Sequence, residues 1–270
     1  MTRVSIATLN IAAASKERAR RILDEWVIPS DFDVYIFTET SDGEGTKLIL
    51  SEFSDAGWSV LRPLTEPNDR GVAVATRVCA KHIDEYPADD PARGRAVLIE
   101  MDTVPRIELL GMYVPNRGND PAKLQRKRSY LGCWLKYLSH NSPSRQRIVL
   151  GDLNVVPATQ HPQFLPQQQF EYDWYSRLTG ICNLYDAAVK HNRVGHESTW
   201  VANTGEGYTY DHILLHNNLQ RRVISFGYDH STRSRGGITD HSAVSVVIDL
   251  DSVALMDTYK VGTPKQAGLF

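Results

Sequence analysis

Short apolar runs and amphipathic stretches alternate along most of the chain. Val4 to Asn10 has the pattern of a strand that ends on a polar residue, and Val34-Tyr-Ile-Phe37 that of a second strand with Glu39 just past it. Between them Ala19, Ile22, Leu23, Trp26 and Val27 recur at helical spacing, with Arg and Glu on the other face and Ser15 placed to cap the helix. Leu48, Ile49 and Phe53 predict a second helix. A run of strand candidates follows: Trp58–Leu61, Gly71–Thr76, Ala96–Met101 and Ile107–Val114. Short sequential strands of this kind favour antiparallel neighbours. Pro121 to His140 is the clearest helix, with Leu124, Leu131, Trp134, Leu135 and Leu138 as its apolar stripe. Ile148-Val-Leu150 reads as a strand buried on both faces. Gly151 then allows a tight bend, and Asp152 and Asn154 follow one residue apart. Farther on, Tyr172–Leu178 and Leu184–Val189 are expected as short helices, and Tyr208–Leu215, Arg222–Phe226 and Ser242–Leu250 as strands. The pattern fades beyond Asp251. The expected organisation is one domain over residues 1–250 and a flexible tail over 251–270, with no internal repeat and no dividing linker.

Composition narrows this little. The apolar and charged fractions, 41% and 23%, are those of an ordinary soluble globular protein. A formal net charge of −2 gives no global signature of a nucleic-acid binder, although a local basic face would suffice. No apolar run approaches membrane-spanning length, so no membrane partner is expected. Three widely spaced cysteines, Cys79, Cys133 and Cys182, fit reduced thiols and a cytoplasmic setting. A monomer is the expected state.

The chemistry lies in where the polar residues fall. Asn10, Glu39, Tyr113 with Asn116, and Asp152 with Asn154 each stand at the C-terminal end of an apolar strand. Asp and Asn at such a place also suit a plain turn. Asp211 lies within the strand 208–215, and Asp240-His241 lies in a Gly-rich turn before the last strand. If these strands share sheets that face one cleft, four carboxylates meet there, and they cannot all stay ionised without a cation. An oxygen donor set without cysteine selects a hard metal, Mg²⁺ or Mn²⁺. Neighbours in a strand point to opposite faces, so Asp211 is not expected to orient His212. His241 is its best candidate partner, in an Asp–His pair suited to proton transfer.

These pieces together resemble the endonuclease/exonuclease/phosphatase superfamily of metal-dependent phosphoesterases. The matching segments are Thr8-Leu-Asn10, Thr38-Glu39-Thr40, Gly111-Met-Tyr-Val-Pro-Asn116, Gly151-Asp-Leu-Asn154, Ser198-Thr-Trp200, Tyr210-Asp-His-Ile-Leu214 and Thr239-Asp-His241, in the family's order. Tyr113-Val-Pro-Asn116 followed by a basic amphipathic helix is most similar to the exonuclease III branch, which includes abasic-site endonucleases. Two places depart from that branch. Glu39 lacks the flanking Gln and Lys, and Val-Ala-Asn203 after Trp200 replaces an aromatic and an Arg. The resemblance implies an α/β (α+β) fold: a four-layered β-sandwich of two mixed sheets flanked by helices, with the active site at one end. It implies hydrolysis of a phosphodiester by in-line attack of water. Glu39 is the first expected metal ligand, with Asn10, Asp152, Asn154 or Asp240 contributing directly or through water. Asp152 is the expected base, His241 with Asp211 holds the phosphate or shares in proton transfer, and Tyr113 and Asn154 steady the phosphate oxygens or the leaving group.

DNA is the expected substrate, cut by an endonuclease or 3′-exonuclease activity of the kind used in DNA repair. Asn116, Arg117, Lys123, Lys127 and Arg235 are candidate contacts to its backbone, and Trp200 a base-stacking or wedging residue. Gln266-Ala-Gly-Leu-Phe270 resembles the short peptide by which bacterial proteins dock on the polymerase sliding clamp. Two alternatives stand beside this reading: a phosphoesterase of a small or lipid-linked substrate, and a non-catalytic DNA- or clamp-binding protein on the same fold.

Overall fold

A computed structural model describes residues 2–116, 118, 120–140, 145–160, 167–190, 197–234 and 236–263. The chain opens with β1 (Thr2–Asn10), whose last five residues are all buried. Ser15 accepts a hydrogen bond from the Arg18 N–H and caps α1 (Lys16–Ile22), which continues through a wide turn, Leu23–Val27, into α2 (Ile28–Ser30). Next come β2 (Val34–Thr40), α3 (Glu44–Asp55), β3 (Ser59–Leu61) and β4 (Gly71–Thr76). The strands β5 (Ala80–His82), β6 (Ala96–Met101), β7 (Thr103–Val104) and β8 (Ile107–Tyr113) lead to the long helix α4 (Pro121–Ser139) and then to β9 (Gln146–Asp152). The second half holds α5 (Gln169–Thr179), β10 (Leu184–Asp186), α6 (Ala187–Lys190), β11 (Trp200–Val201), β12 (Gly207–Tyr208) and β13 (Asp211–His216). It ends with β14 (Val223–Asp229), β15 (Ala243–Leu250) and β16 (Ser252–Val253).

Two six-stranded mixed sheets result, ordered β14-β15-β1-β2-β4-β3 and β10-β13-β9-β8-β6-β5. Each has one parallel pair near its centre, β1 with β2 and β8 with β9, and antiparallel neighbours elsewhere. Three apolar clusters make four layers. Val4, Ile6, Ile36, Val74, Leu109, Ile148 and Ile213 fill the space between the sheets. Leu9, Ile22, Trp26, Phe37 and Phe53 join the first sheet to α1 and α3, and Leu98, Met112, Trp134, Val149 and Trp174 join the second to α4 and α5. Strands buried on both faces must be apolar at every position, which is why β4 reads Gly-Val-Ala-Val-Ala-Thr with all six residues buried.

The structure differs from the sequence expectations in three places. Leu184–Asp186 is a strand, and the helix begins only at Ala187. Asp186 explains the switch: its Oδ1 accepts from the Ala188 N–H, ending the strand and opening the helix. The single strand expected over 208–215 is broken at Thr209 and Tyr210, which separate β12 from β13. The chain also does not leave the body at 251. Ser252 and Val253 pair with β7, the Tyr259 carbonyl accepts from the Trp58 indole at 3.2 Å, and Val261 is buried. The clamp-like peptide 266–270 lies outside the described residues.

Candidate active site

The two parallel pairs end side by side on one edge of the sandwich, and their last residues are the candidate catalytic groups. Asn10 ends β1, Glu39 is near the end of β2, Tyr113 ends β8 and Asp152 ends β9. Tyr113 and Asp152 are register partners, as are Asp152 and Asp211 across β9 and β13. His241 pairs with Trp200 just before β15. A cavity of about 280 Å³ opens there, lined by Glu39, Asn116, Lys127, Asp152, Asn154, Glu171, Trp200, Tyr210, Asp240 and His241.

Local backbone geometry aims these groups. Glu39 has φ +52 and sits where the register with β4 slips between Thr38 and Thr40. This bulge turns Glu39 out of the sheet, leaving Phe37 in the core. Gly151 has φ +132, and a Cβ there would lie 2.1 Å from the Met112 carbonyl oxygen. Only glycine fits so close to the neighbouring strand. Asp152 Oδ1 accepts from the Asn154 N–H at 2.9 Å, and Asn154 has φ +48. The plain turn and the functional site are therefore one structure: Asp152 closes the turn with one oxygen and faces the pocket with the other.

Hydrogen bonds tie the set together. Asn10 donates from Nδ2 to Asp152 Oδ2 at 2.9 Å, and its own Oδ1 accepts from the Ala12 N–H. The Tyr113 hydroxyl donates to Glu39 Oε1 at 2.6 Å. His241 Nδ1 is 2.7 Å from Asp211 Oδ2. His212 points to the opposite face, where Asp186 Oδ2 lies 3.0 Å from its Nδ1. Asn154 Nδ2 donates to the Val114 carbonyl at 2.9 Å.

The electrostatics follow from burial. Asp152 and Asp211 are 1% and 0% exposed. Burial first, then the nearby Asp211 carboxylate, pushes the Asp152 carboxyl well above the ordinary range, although His241 opposes this. For His241 burial favours the neutral ring, but Asp211, then Asp152 and Asp240, outweigh it and hold the imidazolium above its usual value. Burial and Glu39 raise the Tyr113 hydroxyl, so it stays a donor.

This donor set fits a hard divalent cation. Ligand atoms of Asp152, Asp211 and His241 lie within 4.8 Å of one another, and the buried Asp211 Oδ1 has no partner among the described residues. The Asp211–His241 contact is already a hydrogen bond, so that pair is a proton-holding unit. Glu39, Asp152, Asp240 and Asn154 bring oxygen donors to the cavity, whereas Asn10 is buried behind it, its Oδ1 accepting from the Ala12 N–H and its Nδ2 donating to Asp152.

The expected substrate contacts divide. Asn116 and Lys123 are exposed, Asn116 at the cavity. Trp200 is half-buried beside the cavity, donating to Asp240 Oδ2 at 3.2 Å with its ring 5.8 Å from that of Tyr210. Arg117 and Arg235 lie outside the described residues. Lys127 is not an exposed cation: it is 2% exposed and ion-paired with Glu171 at 2.6 Å. Arg126 is paired with Asp69, and Arg128 lies over the Phe170 ring. The basic cluster of α4 is thus largely committed within the molecule. Two contributors went unread in the sequence, Glu171 and Arg95, whose guanidinium covers the Tyr113 ring at 4.4 Å, and Tyr210 was read only as part of a matching segment. The pattern Gln168-x-x-Glu171, a capping box, is the one signal that pointed to Glu171.

Comparison with known proteins gives a family model, described as the endonuclease/exonuclease/phosphatase family, that matches residues 7–241. No curated protein sequence matches. Among solved structures, the chain is similar to a 3′ phosphatase, NExo, from Neisseria bound to a product DNA hairpin (TM-score 0.76, 19% identity, 91% of this chain and 99% of that one). It is similar also to an AP endonuclease from Archaeoglobus fulgidus (TM-score 0.76, 21% identity, 91% and 99%). A third is a 3′-5′ exonuclease, NExo, from Neisseria meningitidis (TM-score 0.75, 19% identity, 91% and 100%). The fold is exonuclease III-like. Among the described residues, no helix is long and apolar enough to cross a membrane.

Proposed function

The chain belongs to the endonuclease/exonuclease/phosphatase family, and from that premise we propose that it is a divalent-metal-dependent phosphodiesterase that cleaves DNA. One observation carries the reading: Glu39, Asp152 and His241 line a single cavity, with Asp211 bonded behind His241. Two buried carboxylates, Asp152 and Asp211, do not gather beside Glu39 and His241 from four separate places in the chain without a chemical use for them.

The residues divide the work as follows. Glu39, with Asp152, Asp240 and Asn154, would hold Mg²⁺ or Mn²⁺, which when bound offsets negative charge as it develops on the phosphate. Asp152 takes the proton of the attacking water, its basicity raised by burial. Asn10 fixes the Asp152 carboxylate through its amide. His241, kept protonated by Asp211, donates toward a phosphate oxygen. Tyr113 donates to Glu39 in the free protein and would steady a phosphate oxygen or the leaving group. Trp200 and Tyr210 offer ring faces for a nucleobase or sugar. DNA is favoured by the similarity to proteins whose names place them on DNA, one of them bound to a DNA hairpin. A second reading, a small phosphoester substrate, has one observation in its favour: Lys127, expected along a DNA path, is paired internally, and so is its neighbour Arg126.

The test is purified protein with Mg²⁺ or Mn²⁺, offered nicked, abasic and single-stranded DNA beside a generic phosphodiester. Cleavage of DNA supports the proposal. Turnover of the generic ester alone supports the second reading, and DNA binding without turnover removes both.

A further inference from the structure

We propose that Lys127 and Glu171 are a positioning pair that holds Asn154 in its catalytic setting, and that Lys127 is not a contact for substrate phosphate. The inference rests on the phosphodiesterase reading of the site. Lys127 Nζ donates to the Asn154 carbonyl oxygen at 2.7 Å and to Glu171 Oε1 at 2.6 Å. Both side chains of the ion pair are 2% exposed, and both residues line the wall of the catalytic cavity.

Asn154 is held from several sides. At φ +48 it lies in the left-handed region, which Asn tolerates better than most residues, so its place is set by its partners. Three bonds converge on it: its N–H goes to Asp152 Oδ1, its side-chain Nδ2 to the Val114 carbonyl, and its carbonyl accepts from Lys127. The Val114 carbonyl can only accept, so the amide nitrogen of Asn154 is the end facing it. Lys127 is the one cationic partner of the three.

The far end of the pair is anchored as well. Glu171 Oε2 accepts from the Gln168 N–H at 2.8 Å, which is the capping box that opens α5. The preceding residue adds a second grip two positions beyond Asn154: Gln167 Oε1 accepts from the Val156 N–H and its Nε2 donates to the Val156 carbonyl, both at 2.8 Å. The start of α5 therefore clasps the segment that follows β9 at two points, and Lys127 brings α4 into the same clasp. A lysine whose charge is met by a buried carboxylate adds little net positive charge for a phosphate backbone.

The experiment removes both charges together, Lys127→Met with Glu171→Leu, because deleting one partner would strand a buried ion. The substrate is the DNA oligonucleotide, or failing DNA the generic phosphodiester, that the wild-type protein turns over fastest. Wild-type turnover itself tests the underlying reading, so failure there is separate from failure of this inference. The expected result is a fall in kcat of about tenfold or more with KM and the salt dependence of kcat/KM unchanged. In an Asn154→Ala background the same pair should cause no further fall. A raised KM with a shallower salt dependence, an unchanged kcat, or an equal fall in both backgrounds overturns the inference. Should the double variant not fold, Lys127→Arg keeps the charge and replaces the compact ammonium by a longer, planar guanidinium. A lower kcat at unchanged KM supports the positioning role, and wild-type kinetics overturn it.

Discussion

Asp211 Oδ2 and His241 Nδ1 lie 2.7 Å apart, joining the first residue of β13 to the turn before β15 across the boundary between the two sheets. No neighbour in sequence could fix the ring this way, since His212 turns to Asp186 on the other face. The carboxylate both orients the imidazole and keeps it charged. Asp211→Asn should lower kcat by about 10²- to 10⁴-fold, the span of a lost acid–base group, with KM little changed. Its melting temperature should fall, because the buried His241 imidazolium loses its counter-charge. Steady-state kinetics and thermal melts check both, and an unchanged kcat would remove the pair from the mechanism.

Tyr113 donates to Glu39 at 2.6 Å, and the Arg95 guanidinium covers its ring at 4.4 Å. Tyr113→Phe removes only the donor and should cost about 1.5–3 kcal/mol of transition-state stabilisation, roughly 10- to 100-fold in kcat, with no change in melting temperature. Tyr113→Ala should also lower the melting temperature, since the ring and the stacked Arg95 lose each other. Equal melting temperatures for the two variants would contradict the stacking role.

Asp69 accepts from both Arg95 and Arg126. Burial alone would raise its carboxyl, but the two arginines outweigh this and hold it at about 2. A depressed folded-state value contributes stability above the unfolded value and loses it as pH falls through the folded one. Asp69→Asn should therefore destabilise the protein by about 2 kcal/mol near pH 7, a gap that closes as pH falls from about 4 to about 2. Denaturant melts across that range test it, and a pH-independent gap would count against the charge as cause.

Gly151 and Gly132 form a matched pair of opposite sign. A Cβ at Gly151 meets the Met112 carbonyl at 2.1 Å with φ +132, whereas one at Gly132, exposed on α4, meets nothing within 4 Å. Gly151→Ala should destabilise by about 3 kcal/mol or more and disturb Asp152, while Gly132→Ala should be neutral or stabilise by up to about 1 kcal/mol. Paired thermal melts decide, and similar shifts for the two variants would contradict the close approach of β8 and β9.

Much of the site was legible because a carboxylate or amide placed directly after a buried apolar run is costly, and Asn10, Glu39, Asp152 and Asn154 all stand there. Strand alternation turned Asp211 away from His212 and left His241 as its best candidate partner. What escaped depended on which face of a helix meets which partner. Lys127 looks like its neighbours Arg126 and Arg128 in sequence, and only the position of Glu171 on α5 shows that it turns inward. Arg95 was hidden because a lone arginine before an apolar strand has no pattern that names its partner. The strand at Leu184–Asp186 was read as helix because three residues are too few to show a period. The segment 252–263 read as tail because two-residue strands and single backbone bonds hold it, and these leave no hydrophobic periodicity.

The central claim is that acids from separate strand ends form one cation-dependent hydrolytic pocket. Its most direct test is turnover of a DNA phosphodiester by wild type and by Asp152→Asn, each with Mg²⁺ or Mn²⁺ and again after chelation. Wild type should cleave only with the cation and recover when it is restored, while Asp152→Asn, shown by its thermal melt to be folded, should be inactive in both. Cleavage that survives chelation, or an Asp152→Asn variant that turns over at the wild-type rate, would contradict the account.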